Sequence, residues 1–189
     1  MKSAMKAVLM LSVLVFSATA VMAMERDGVE YPDQITVEGI DLVLNGLGTR
    51  EATIFKVNVY VAALYLENLS SDGYAICQSE ETKRLILHFV RDVGEGDITD
   101  AWTEGFVKNA GDDLLIFQDR IETLNSWMSD IDDGERMVYT YIPGTGLEVS
   151  VLGDFKGVIE GADFASAFLS IWLGDNPPNR GLRDGLLGD

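Results

Sequence analysis

Apolar and polar residues follow recognisable periods along most of the chain, and its first segment stands apart from them. Ala7 to Phe16 is an almost unbroken apolar run behind Lys2 and Lys6, and Ser17-Ala18-Thr19-Ala20-Val21-Met22-Ala23 follows it with small residues. A basic start, an apolar middle and a small-residue end form the pattern of a secretory signal peptide. Residues 1–23 are therefore expected to be removed, with cleavage after Ala23, or alternatively after Ala20, leaving an exported (periplasmic or secreted) protein. The run is short for a bilayer span and Met24-Glu25-Arg26-Asp27 ends it, so no stable membrane anchor is expected after cleavage.

Beyond the signal, residues 24–34 read as a leading arm, with Pro32 blocking regular structure. Ile35 to Leu44 alternates as a strand does, and Asn45-Gly46-Leu47-Gly48-Thr49 reads as a flexible turn delivering Arg50. Thr53 to Leu66 is the longest strand signal. Its odd positions Phe55, Val57, Val59 and Val61 are apolar, while its even positions pass from Lys56, Asn58 and Tyr60 to Ala62 and Leu64, as a pocket wall would. A short helix or loop is expected over Tyr74–Glu81 and a strand over Arg84–Asp92. Two amphipathic helices follow, Asp97–Asn109 and Leu114–Met128. Arg136–Ile142 is a strand, Leu147–Ile159 a hairpin turning at Gly153-Asp154, and Ala162–Leu173 an apolar helix closed by Gly174 and Pro177-Pro178. The last helical turn falls on Arg180–Leu187. These elements imply one α+β domain over residues 35–187, a mostly antiparallel sheet with helices grouped on it.

Composition narrows the chemistry. With 47% hydrophobic and 24% charged residues the chain has globular proportions, so a folded core is expected. The formal charge is −17, and losing residues 1–23 removes Lys2 and Lys6 but no acid, deepening it to −19. Such a surface repels phosphate, and no basic cluster offsets it, which argues against nucleic acid as a partner. One Cys and one His supply neither a disulfide nor a Cys/His zinc cluster. Cys77 reads as a half-buried small apolar residue and His88 as a core or edge histidine of a strand. The acidic turn Asp130 to Glu135 lacks the register of a calcium loop. No metal and no cofactor are expected, and Asn45-Gly46-Leu47-Gly48 precedes a strand rather than a phosphate-binding helix.

Arg50 stands out from that background. It precedes a strand whose even positions reach Tyr60 ten residues later, on the same side if no bulge intervenes. A guanidinium beside a phenol, at the polar end of an apolar wall, can bind a carboxylate or a developing oxyanion.

Several segments resemble the chalcone isomerase family, in particular its bacterial chalcone isomerase-like branch. They are Leu44 to Arg50, Phe55 to Leu66, Leu87-His88-Phe89-Val90-Arg91-Asp92-Val93 and Ala101 to Phe106. Tyr141 to Gly146, Ile159 to Phe164 and Ile171-Trp172-Leu173-Gly174-Asp175 continue the likeness in order. The resemblance implies an open-faced β-sandwich: a large antiparallel sheet, a layer of helices and a ligand cleft between them. In true chalcone isomerases an arginine at the place of Arg50 stabilises the enolate formed as a phenolate adds across an enone. An asparagine lining the cleft would correspond to Asn109.

The same resemblance shows departures. A tyrosine of the plant enzyme is replaced by Trp102, its strand threonine falls at Tyr60, and a hydroxyl residue of its last helix falls at Ile171. An arginine–tyrosine pair on a ligand carboxylate, described for fatty-acid-binding relatives, resembles Arg50 with Tyr60 more closely. The expected function is non-catalytic binding of a small amphipathic ligand, fatty-acid-like or enone. Arg50 and Tyr60 would hold the anionic end, with Trp102, Phe106, Asn109 and Ile171 around the rest. The alternative is an isomerase of the intramolecular-lyase type closing a C–O ring, with Arg50 as its catalytic residue.

Overall fold

The computed structural model describes residues 23–52, 57–111 and 114–189. The signal-like segment through Met22, and Phe55 and Lys56 of the long strand signal, lie outside the described residues.

The expected leading arm is a hairpin instead. Strand β1 (Ala23–Arg26) pairs antiparallel with β2 (Val29–Pro32) around Asp27-Gly28, both at positive φ. Pro32 is tolerated because it ends its strand. The main sheet has seven antiparallel strands lying side by side in sequence order. They are β3 (Gln34–Val37), β4 (Ile40–Ala52), β5 (Val57–Leu66), β6 (Lys83–Phe89), β7 (Arg136–Ile142), β8 (Gly146–Val151) and β9 (Asp154–Ile159). The expected single strand over Ile35–Leu44 is divided by a turn at Glu38-Gly39, again with positive φ at both residues. The turn at Leu152-Gly153 joins β8 to β9 in the same way, where the sequence placed a hairpin.

From Tyr60 to Leu66 both faces of β5 are buried, which is why its sequence reads there as a nearly continuous apolar run. Tyr60, Ala62, Leu64 and Leu66 face a core built with Leu85, Leu87, Phe89, Met137 and Tyr139. Helices α2 (Glu95–Asn109), α3 (Leu114–Ser126) and α4 (Ala162–Leu173) contribute to it Trp102, Phe117 and Trp172 among others. Val61, Ala63 and Tyr65 face the other way, under Val29 and Tyr31 of the N-terminal hairpin. The Tyr31 hydroxyl donates to the Val61 carbonyl at 2.9 Å, tying that hairpin to the sheet.

The segment Asn45 to Thr49 is not a flexible turn but the middle of β4. Asn45 is the extra residue of a bulge, between the pairs Leu44–Tyr65 and Gly46–Leu64. Its side-chain amide donates to the Ser70 and Leu186 carbonyls at 2.9 and 2.8 Å and accepts from the Ser70 amide at 2.9 Å. Gly46 and Gly48 lie against the backbone of α5 (Arg180–Leu186); a Cβ on either would overlap Leu186 or Leu182. These glycines serve close approach of a helix, not a bend.

His88 lies on β6 opposite Arg136 of β7, and Arg136 Nε donates to its Nδ1 at 2.8 Å. Burial, reinforced by the Arg136 charge and opposed by Asp133, holds the imidazole below its usual 6.5. The unfolded chain therefore binds this proton at a higher pH than the folded chain. Stability is expected to fall as pH drops below about 6.5 and to level off once the folded imidazole also protonates. Urea unfolding of wild type and His88→Gln at several pH values measures this, since their difference cancels the shared carboxylates. A difference independent of pH between 7 and 5 would be the contrary result.

Candidate functional site

The strand pair β4–β5 and the helices α2 and α4 enclose a cavity of about 480 Å³. Its walls include Arg50, Tyr60, Phe89, Ile98, Trp102 and Ile171, and its rim includes Arg91, Asp97, Glu104, Lys108 and Pro177-Pro178. Apolar side chains dominate its walls and, Arg50 apart, the charged groups stand at the rim, the common composition of a small-molecule pocket.

Arg50 and Tyr60 are brought together, but not by ten residues of one strand. They are direct cross-strand partners in the β4–β5 hairpin, so their side chains leave the same face. The next pair is Glu51 with Asn58, which makes Val59 the extra residue of a bulge on β5. The bulge re-phases the strand beside the cavity, and Val59 and Tyr60 line it in succession. Arg50 is half-buried, and its Nη1 donates to the carbonyl of Glu51. Among the described residues it has no ion-pair partner. Glu104 on the rim is held below the usual carboxylate range chiefly by Lys108, its partner at 2.5 Å, with a smaller contribution from Arg50.

Tyr60 is 4% exposed, and its oxygen accepts a hydrogen bond from Trp172 Nε1 at 2.9 Å. Burial pushes the phenol up to about 12, against the opposing effects of Trp172 and Arg50, so it keeps its proton at physiological pH. That proton has no acceptor among the described residues. With one lone pair taken by the indole, the hydroxyl keeps its proton free to donate. Trp172, which the sequence does not single out for the site, thus orients a site residue.

Trp102 and Ile171 meet at the inner wall. Gly105, one turn from Trp102, lets α2 approach α4 so closely that a Cβ there would lie 2.6 Å from Ile171 Cγ2. The Trp102 ring stands edge-on to Trp172 at 5.1 Å. Its indole N–H has no hydrogen-bond partner among the described residues.

Two residues expected at the site are placed elsewhere. Phe106 is wholly buried against Phe164 and Phe168, behind the cavity rather than in it. Asn109 lines a separate depression of about 940 Å³ beside α1 (Gly73–Gln78) and α4. Its Nδ2 donates to the Gly105 and Asn176 carbonyls at 3.0 and 3.2 Å, and its Oδ1 accepts from the Asn176 amide at 3.2 Å. It clamps the connector after α4, and its amide has little left for a ligand. The larger depression is the weaker binding candidate for the same reason. Its buried cation, Lys83, is 1% exposed and spends all three ammonium protons on the Ile76 and Ser79 carbonyls and Ser79 Oγ.

Pro177-Pro178, read in the sequence as a helix stop, also form one side of the Arg50 cavity. Having no N–H groups, they wall it without leaving buried donors unpaired. Among the described residues no group of His, Cys, Asp and Glu could hold a metal ion.

A family model described as chalcone isomerase-like matches residues 23–188. Among solved structures, the crystal structure of a fatty-acid-binding protein from Arabidopsis thaliana is similar at a TM-score of 0.67 and 16% sequence identity. The similarity covers 88% of this chain and 97% of that one, and at this identity it speaks to the fold. No curated protein matches the chain.

Proposed function

Because the chain belongs to the chalcone isomerase-like family, we propose that it is an exported, ligand-binding member that holds a small anionic amphiphile of fatty-acid type. The carboxylate would meet Arg50 and Tyr60, and the tail would lie against Trp102, Ile171 and Phe89. The observation that carries this reading is the cross-strand pair itself: a guanidinium with no ion-pair partner among the described residues and a protonated phenol with a free proton, side by side above an apolar floor. The ligand named for the similar Arabidopsis protein supports the class of molecule. Binding also asks less of this cleft than catalysis does, since Trp102 carries no readily ionised proton and Ile171 no hydroxyl. Export rests on the basic, apolar and small-residue pattern of residues 1–23.

Extraction of the purified mature protein with organic solvent, followed by mass spectrometry, tests the reading. A fatty acid or similar anion in near-stoichiometric amount is the expected result. Protein that comes out empty and does not saturate with fatty acids would count against it. Loss of chalcone absorbance above the spontaneous rate, abolished by Arg50→Ala, would favour the isomerase instead.

A further inference from the structure

The outer edge of β4 outruns its neighbour. Pairing with β3 stops at Gln34 opposite Val43, while β4 continues to Ala52. Past that point the backbone groups of alternate residues face an open edge, where they need water, a strand or a side chain as partner. Side chains supply three of these partners. Arg26 Nη1 donates to the Leu47 carbonyl at 2.7 Å, Asn179 Nδ2 donates to the Thr49 carbonyl at 3.1 Å, and Asn179 Oδ1 accepts from the Glu51 amide at 3.3 Å. One amide thus bridges the residues on both sides of Arg50.

Two further observations mark this bridge as more than incidental. Asn179 is the N-cap of α5, where an asparagine ordinarily accepts from the first turn of its own helix. It makes no such bond, so α5 goes without a side-chain cap while the amide turns to β4. The bridge also falls at the Val59 bulge, where the β4–β5 ladder is interrupted opposite Arg50 and Glu51. At that place the inner edge of β4 loses regular support, and Asn179 adds support on the outer edge.

We propose that Asn179 is a positioning residue for the candidate site: by fixing the backbone at Thr49 and Glu51 it sets the direction in which the Arg50 side chain enters the cleft. The same connector carries Pro177 and Pro178, so the cation of the cleft and one of its walls are tied together. The affinity part of this inference rests on the ligand reading above; the backbone part does not.

The test uses the mature full-length protein, with dodecanoate and dodecan-1-ol as matched probes differing in the charged head. In Asn179→Ala, without ligand, the Glu51 amide is expected to exchange with solvent faster by NMR. Dodecanoate affinity is expected to fall about tenfold, the scale of one or two lost hydrogen bonds, and dodecanol affinity to stay within about twofold. Asn179→Asp, which keeps the acceptor and loses the donor, should be intermediate. In an Arg50→Met background Asn179→Ala should add no further loss for dodecanoate. Equal loss for both probes, or unchanged Glu51 exchange, would overturn the inference. If Arg50→Met leaves dodecanoate affinity unaltered, the ligand reading fails, and Glu51 exchange alone then decides whether Asn179 holds this backbone.

Discussion

Arg50→Met is expected to weaken dodecanoate binding by roughly ten- to a hundredfold, the scale of a charge-assisted hydrogen-bonded pair. The melting temperature should hardly move. The guanidinium is half-buried at a cavity wall, has no ion-pair partner among the described residues, and makes its recorded hydrogen bond to the adjacent Glu51 carbonyl. Methionine keeps the apolar stem that covers the wall, so the change removes charge and donors rather than packing. Arg50→Lys should recover part of the affinity, because a point charge remains while the planar donor fork is lost. Calorimetric titration beside a thermal melt separates these outcomes. A large drop in melting temperature would mean that Arg50 holds the fold instead of a ligand.

The largest expected effect on stability comes from Gly48→Val, two residues upstream. A Cβ at position 48 would overlap the Leu182 carbonyl and stand 2.8 Å from Leu182 Cδ1. Backbone cannot repack around a methyl group as side chains do, so α5 must move. Leu182 and Leu186 are fully buried by that helix. A loss of about 3 kcal/mol or more is expected, at the upper end of overpacking costs. Because Asn179 leads into α5, the displacement should also loosen Arg50, so affinity for dodecanoate should fall together with stability. Urea unfolding checks the first effect. A Gly48→Val protein as stable as wild type would contradict the close approach of α5 to β4.

These two positions show what could be read from the sequence. The helices α2 and α4 were legible to within a residue or two, because their apolar stripes and stop signals are local. The hairpin β8–β9 was legible from Gly153-Asp154 for the same reason. The glycines of Asn45 to Thr49 were misread because a flexible turn and a close helix contact demand the same residue. What separates the two lies about 140 positions away, at Leu182 and Leu186. Arg50 and Tyr60 were paired through strand periodicity, whereas hairpin register joins them and the Val59 bulge spoils the count. Phe106 follows Trp102 by four residues and so shares its general face, yet α2 is wedged between cavity and core, and one turn carries the side chain from the first into the second. Asn109 and Asn179 could not be assigned from local pattern, since each acts on backbone brought alongside by the fold.

A carboxylate is expected beside Arg50 and the Tyr60 hydroxyl, and ¹³C NMR of dodecanoate labelled at its carboxyl carbon tests this most directly. A carboxylate held by an opposite charge and a phenol donor keeps its ionised form to a pH about 1 to 3 units lower than the free acid. The bound signal should therefore hold its carboxylate shift well below the pH at which free dodecanoate titrates, and lose that protection in Arg50→Met. A bound signal that titrates as the free acid does, with or without Arg50, would contradict the account.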